Sequence, residues 1–391
     1  VTGINTKMYD GHALATAIGT PVLAGTILSG ETVTLSGTPV YTFNTKNVGT
    51  GKAVTVSGLV LTGASAGAYS LPTNQIPGLS GDIIIRPLEI TANANTKVFD
   101  NTINVSTLPS ITSGAIQGTD TFGFISTFDT KNVGNNKTIT PSGIVNDGNG
   151  GNNYAVTFVN STGEITPKPL TITGATTINK VYDGTDVAAT TAGTWTLTGV
   201  ISPNVVTLNK SAVFASKDAG TWAITSTSTL SGADASNYIL TQPTLVSRSI
   251  TKIALTISGT VTTDKEYDRT NTAILTGGVL NGVISGEDVS LVLSGRYSSS
   301  NAGGPYVITS TSTIVGNDIA NYTLTQPTLT PRSISKVTLT VAGASPVDRS
   351  YNGNTIATVT GGSLVGVVSG DVVSLTQSGI YPDKNVGGPY A

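Results

Sequence analysis

No cysteine occurs anywhere in the 391 residues, which excludes disulfide staples, thiolate metal sites and cysteine nucleophiles together. A single histidine, His12, excludes any site that needs two imidazoles. Charged residues reach only 11 %, against roughly 25 % in an average soluble protein. The formal net charge of −2 gives no electrostatic pull toward nucleic acid or an anionic membrane. Aromatics are scarce at 6 %, so any core must be built from Val, Ile, Leu and Ala. No stretch reaches the roughly 18 consecutive apolar residues of a membrane-spanning helix. Val1 opens directly into patterned sequence, with no basic segment ahead of an apolar one, so no signal peptide is read here. Glycine, by contrast, is abundant at 46 residues, and a chain this long suits two to five small domains rather than one.

Three short patterns recur in phase. The first is an aromatic–Asx pair preceded by a cation: Tyr9-Asp10-Gly11 after Lys7, Phe99-Asp100-Asn101 after Lys97, Tyr182-Asp183-Gly184 after Lys180, Tyr267-Asp268-Arg269 after Lys265, and Tyr351-Asn352-Gly353 after Arg349. The aromatics lie 99 − 9 = 90, 182 − 99 = 83, 267 − 182 = 85 and 351 − 267 = 84 residues apart. The second pattern runs Lys46-Asn47-Val48-Gly49, Lys131-Asn132-Val133-Gly134, Lys217-Asp218-Ala219-Gly220, Ser300-Asn301-Ala302-Gly303 and Lys384-Asn385-Val386-Gly387. The third is a tyrosine opening an apolar alternation: Tyr69, then Asn153-Tyr154, Asn237-Tyr238 and Asn321-Tyr322. Three independent patterns at one period define a tandem array. Its repeats are placed at 1–86, 87–168, 169–252, 253–336 and 337–391, the first short of the start of its opening strand and the fifth lacking its last strands. Two explanations stand for that fifth repeat: a window on a longer chain, which is preferred, or strand addition by a partner.

Within each repeat the apolar residues alternate with period two, as in Leu170-Thr171-Ile172 and Tyr238-Ile239-Leu240, and Gly, Asn, Asp and Ser punctuate the runs. No segment carries a helical face over three turns. The expected fold is all-β: an array of small Ig-like or sandwich-type domains of about 84 residues, each of seven or eight short strands. Repeats abut with two or three polar or proline positions between apolar strands, as at Ile165-Thr166-Pro167-Lys168-Pro169-Leu170, so a stiff elongated rod is expected.

Each pattern has a structural explanation. In the first, the aromatic fills the core, Asp or Asn caps its own turn, and Gly accepts a positive φ; Asn101 enters that region readily and Arg269 less so. The second, with Asn47, Gly49, Asn132, Gly134, Asp218, Gly220, Asn301, Gly303, Asn385 and Gly387, reads as a turn between strands. A sharper alternative pairs the lysine before each aromatic with the Asx of the second pattern in an intramolecular isopeptide crosslink. The segment Asn146–Asn153 superficially resembles a calcium loop but lacks the bidentate Glu and alternating carboxylates, so no metal or cofactor is expected. His12 reads as a surface turn residue, and Trp195 and Trp222 as packing residues. No nucleophile elbow with a histidine partner, phosphate loop or dinucleotide fingerprint occurs, and the acids do not recur as pairs, so no enzyme is expected.

Together the Tyr-Asp-Gly, Lys-Asn-Val-Gly and Asn-Tyr-x-Leu steps resemble the YDG- and MBG-type repeat domains of large bacterial surface proteins, filamentous-haemagglutinin-like adhesins and secreted exoproteins among them. The resemblance runs over essentially the whole chain. It implies an extracellular or cell-surface segment that serves as a stalk or fibre and carries no assigned binding residues. Neighbouring repeats of a longer chain are the implied partners. The other partner classes are further copies of the chain in a fibre, and host or matrix glycan or protein bound by a multivalent array. Nucleic acid is not among them.

Overall fold

A computed structural model describes residues 1–191 and 193–390; the expected end of the fifth repeat at Ala391 lies outside the described residues. The described residues form an all-β array of sandwich-like repeats of about 80 residues. They contain no α-helix, only single 3₁₀ turns at Ala66–Ala68, Ala235–Asn237 and Ile319–Asn321.

The front sheet has the same strand order in repeats 2, 3 and 4, and each of these repeats divides into two halves. We call the front half the sheet that holds the first strand of a repeat and its Asn–Tyr strand. In repeat 2, Arg86–Thr91 lies between Ser110–Ser113 and Tyr154–Val159; in repeat 4, Ile253–Thr262 lies between Leu275–Asn281 and Tyr322–Thr325. The first strand and the Asn–Tyr strand run parallel, with Tyr154 opposite Arg86, Tyr238 opposite Lys168 and Tyr322 opposite Ile253. This register sets each tyrosine beside the point where its repeat begins.

The rear half is organised around one buried isoleucine of the last strand. Ile83, Ile165, Ile250 and Ile334 each pair in parallel with the lysine of the first pattern, Lys7, Lys97, Lys180 and Lys265. On its other edge the same isoleucine pairs antiparallel with Gly49, Gly134, Gly220 or Gly303 of the second pattern. The next amide continues the parallel ladder: Tyr9 donates to Ile84 O, Phe99 to Thr166 O, Tyr182 to Thr251 O and Tyr267 to Ser335 O. Each aromatic therefore emerges where the last strand ends. One residue, Ile85, Pro167 or Lys252, then separates that strand from the first strand of the following repeat.

Cores form across these boundaries. One apolar cluster joins Tyr9, Phe43, Val54 and Ile83 of repeat 1 to Leu88, Ile90, Phe124, Val145 and Tyr154 of repeat 2. A second joins Phe99, Phe128, Ile139 and Ile165 of repeat 2 to Leu170 and Tyr238 of repeat 3. The chain accordingly divides into two compact units that do not follow repeat boundaries: Val1–Thr173, Thr196–Asn209 and Thr229–Gln242 form one, and Gly174–Trp195, Lys210–Ser228 and Pro243–Ala391 the other. The strands of the third repeat are shared out, its front half going to the first unit and its rear half to the second. In the second unit, Ala273, Tyr297, Ile308, Leu329 and Ile334 form the core of repeat 4.

Because Ile165 is fully buried between two strands at such a boundary, Ile165→Ala is expected to cost about 2–5 kcal/mol. Urea unfolding followed by circular dichroism checks this as a lower midpoint for the first unit.

Candidate functional site: the junction between repeats

All three sequence patterns contribute to one place, the contact of a rear half with the front half of the next repeat. Its centre is a buried asparagine. Asn153, Asn237 and Asn321 are 0, 3 and 2 % exposed. Their Oδ1 atoms accept the amides of Val48, Val133 and Ala219 of the preceding repeat at 2.9, 2.9 and 2.8 Å. Their Nδ2 atoms donate to Oδ1 of Asn47, Asn132 and Asp218 at 3.2, 3.4 and 3.3 Å. A primary amide taken out of water must keep its hydrogen bonds, and here the neighbouring repeat supplies a backbone donor and a side-chain acceptor to each, with Asn149 Nδ2 of the same repeat adding a second donor to Asn153 Oδ1.

The tyrosine that follows packs edge-on against the aromatic of the first pattern. Tyr9 meets Tyr154, Phe99 meets Tyr238 and Tyr182 meets Tyr322, with ring centroids 5.4, 5.4 and 5.7 Å apart and planes 75–82° apart. Such pairs add about 0.5–1.5 kcal/mol beyond the area they bury. A tight turn of the front half completes the site, and its fourth residue is Glu31, Asp120, Asn204, Glu287 or Asp371. In every repeat that residue's amide donates to the carbonyl three residues earlier, at Leu28, Gln117, Ile201, Ile284 and Val368. The amide of that earlier residue donates to the tyrosine Oη: Leu28 to Tyr69, Gln117 to Tyr154, Ile201 to Tyr238 and Ile284 to Tyr322. The in-phase turn is the element the sequence reading missed. Its signal was a Ser-Gly-acid step at Ser29-Gly30-Glu31, Ser285-Gly286-Glu287 and Ser369-Gly370-Asp371.

At Asp120 and Glu287 the acid of the turn collects the hydroxyls of both rings. Tyr9 and Tyr154 donate to Asp120 Oδ2 at 2.8 and 2.9 Å, and Lys46 Nζ sits 2.9 Å from Oδ1. Burial pushes the Asp120 carboxyl up, but Lys46 and the two hydroxyls together hold it below its usual range. The hydrogen bond to Asp120 holds the Lys46 ammonium charged above its ordinary value. Tyr154, buried and facing that carboxylate, is pushed up to about 12. Tyr182 and Tyr322 likewise both donate to Glu287. In the fourth junction Tyr267 donates to Asp371 at 3.3 Å; among the described residues no Asn–Tyr strand faces it.

The first pattern closes on its own lysine. Lys7 Nζ donates to Asp10 Oδ1 and to the carbonyls of His12 and Leu14; Lys97, Lys180 and Lys265 make the same bonds to Asp100, Asp183 and Asp268 and to Thr102, Thr185 and Thr270. Each ammonium also lies over a ring: Phe43, Phe128, Phe214 or Tyr297, at 5.5–5.9 Å. Oδ1 of each Asp accepts the amide two residues on, at His12, Thr102, Thr185 and Thr270. The hydrogen bond from Lys265 holds the Asp268 carboxyl down to about 2. The position after each Asp or Asn is left-handed throughout, with φ 80° at Gly11, 66° at Asn101, 77° at Gly184, 65° at Arg269 and 81° at Gly353. At Gly11 a Cβ would stand 3.1 Å from the Gly118 amide of the next repeat, so the turn is pressed against the junction.

Lys7 and Asn47, paired in the crosslink alternative, are committed to different partners, the lysine to its own turn and the asparagine to Asn153. In the calcium-like segment, Asp147 is spent on the amides of Asn149, Gly151 and Asn153, which fixes the loop leading into the buried asparagine. Trp195 Nε1 donates to Thr176 O and Trp222 Nε1 to Asp218 O. The remaining second-pattern residues sit at strand starts, Gly303 opposite Ile334 and Asn301 on Ser299 Oγ. In the fifth repeat Asn385 donates to Asp383, Gly387 packs on Tyr390, Asn352 caps Asn354, and Tyr351 is 63 % exposed.

A family model described as the YDG domain matches residues 1–76, 85–162, 166–245, 250–329 and 330–389, and the chain belongs to that family. No curated protein matches. Among solved structures, the Drosophila N-cadherin EC1-4 crystal structure aligns at 8 % identity over 78 % of this chain and 85 % of that one, with a TM-score of 0.20, too low to carry an argument.

Two outcomes follow from this geometry. Asn237→Ala, which strands the Val133 amide, is expected to cost about 1–3 kcal/mol. Hydrogen exchange should speed up at Val133 while the Val48 amide, in another junction, stays protected. Alkali is the second probe, because Tyr154 ionises at about 12 when folded against 10.0 as a free side chain. A pKa raised by folding contributes stability below pH 10 that is lost as pH rises through 12. Phenolate absorbance and exchange at Val48 should therefore rise together across that window.

Proposed function

We propose that this array of five YDG domains is a non-catalytic stalk or fibre segment of a bacterial surface or secreted adhesin, with the task of holding reach and direction. The observation that carries the reading is the buried asparagine clamp, repeated at three successive junctions with one-residue connections between strands. A flexible string of beads would leave its linkers long and polar and its domains separately finished. Here the apolar clusters span the boundaries, so bending at a junction would expose core and orphan a buried amide. Composition is compatible with work outside the cell: without cysteine the fold needs no redox assistance, and the low charge leaves little basis for nucleic-acid or lipid contact.

Small-angle X-ray scattering on the whole chain tests the reading. A compact globule of this length has a radius of gyration of roughly 21 Å. A rod of about 180 Å, from strand rise plus loops, gives roughly 50 Å. A value near 50 Å, unchanged by a chelator, supports a metal-independent stalk; a value near 21 Å overturns it.

A further inference from the structure

The four junctions differ at three positions, and the differences are matched across the contact. Where a rear half offers a tyrosine hydroxyl, at Tyr9, Tyr182 and Tyr267, the front turn of the next repeat offers a carboxylate, at Asp120, Glu287 and Asp371. Where the rear half offers Phe99, with no hydroxyl, the turn offers Asn204, whose Nδ2 donates to Tyr238 Oη at 2.8 Å. The cation follows the same rule. Lys46 lies 2.9 Å from Asp120 and Lys217 4.0 Å from Glu287, whereas Lys131, at the junction without an acid, bonds Asn101 Oδ1 at 2.7 Å.

The fourth junction is the most telling. Its counterpart of Lys46 is Ser300, which carries no charge, yet Asp371 still has a cation: Arg269 Nε is 3.3 Å away, and Arg269 Nη1 donates to Ser369 O of the same turn. Arg269 stands at the left-handed position that glycine fills in repeats 1, 3 and 5, at φ 65°. A residue with a Cβ is disfavoured there. The charge has moved to a strained position on the same rear half and reaches the same acid.

We propose that hydroxyl, cation and carboxylate form a matching code that decides which front half closes on which rear half. An acid-bearing turn set against Phe99 would bury a carboxylate that has lost one of its two hydroxyl donors, and Asn204 set against a tyrosine-and-lysine rear half would leave a cation unpaired. Near-identical repeats in one chain compete for each other during folding, and wrong pairing is their characteristic failure. A mismatch penalty suppresses it, which is specificity by built-in repulsion. The stalk reading supplies the purpose of the code, not its chemistry: a compact scattering profile would remove the former and leave the cycle below intact.

The test is a double-mutant cycle in the full chain, read by exchange of the Val133 amide with the Val48 amide as internal control. Phe99→Tyr and Asn204→Asp are each expected to speed exchange at Val133 roughly tenfold. The double variant, in which the new hydroxyl can donate to the new acid as Tyr9 does to Asp120, should return to within about threefold of the parent. Single effects that simply multiply in the double variant overturn the code. A second series guards against a single variant that does not fold. Arg269→Gly relieves the backbone strain, so without a code it should slow exchange at the Tyr267 amide. With the code it speeds exchange several-fold, and adding Ser300→Lys recovers it; slower exchange in Arg269→Gly alone overturns the proposal.

Discussion

A primary amide buried away from water must find hydrogen bonds inside the protein, and the amides of Asn153, Asn237 and Asn321 find them on the backbone of the repeat before their own. The rest of the arrangement depends on this constraint. It fixes the depth to which the following tyrosine is inserted, and hence the edge-on geometry with Tyr9, Phe99 or Tyr182. It also fixes the approach of the front turn, whose acid can then reach two hydroxyls at once. A repeat folded by itself would leave the asparagine without the backbone donor of the preceding repeat and the aromatic without its cover. Completion of one repeat is thus coupled to the presence of the one before it.

The rear half provides the rigid floor on which this happens. A single isoleucine carries the lysine strand on one edge and the glycine strand on the other. The lysine in turn ties the aromatic turn into a knot of one carboxylate, two carbonyls and a ring face. Few charges occur in the chain, and a good share of them are placed where they organise a turn or a junction rather than where they face water. That placement accounts for a composition that looks under-charged for its size.

Much of this was legible in the residues and some was not, for identifiable reasons. Period two in Leu170-Thr171-Ile172 announces strands because side chains alternate faces, and the spacing of Tyr9, Phe99, Tyr182, Tyr267 and Tyr351 announces an array because chance does not keep phase. Asp10, Asp100, Asp183 and Asp268 cap their turns through contacts two residues away, which is the range a sequence motif encodes well. The meeting of Tyr9 with Tyr154 is of another kind. Those residues lie 154 − 9 = 145 positions apart, well over one period, and periodicity gives the length of a repeat but not the phase of its folding unit. The front turn escaped because its key residue varies among Glu31, Asp120, Asn204, Glu287 and Asp371, and only the hydroxyls it meets give that variation a meaning.

The two faces of each of the first three junctions are unlike: aromatic turn and glycine strand on one side, Asn–Tyr strand and front turn on the other. In the language of symmetry the contact is heterologous, not isologous, and no two-fold axis relates its sides. A contact of that class does not satisfy itself in pairs, as a self-complementary dimer patch does. It has a direction, it passes the same unsatisfied face onward each time it is made, and nothing in its geometry counts. The number of repeats in such an array is therefore written in the length of the polypeptide rather than in the chemistry that joins one repeat to the next.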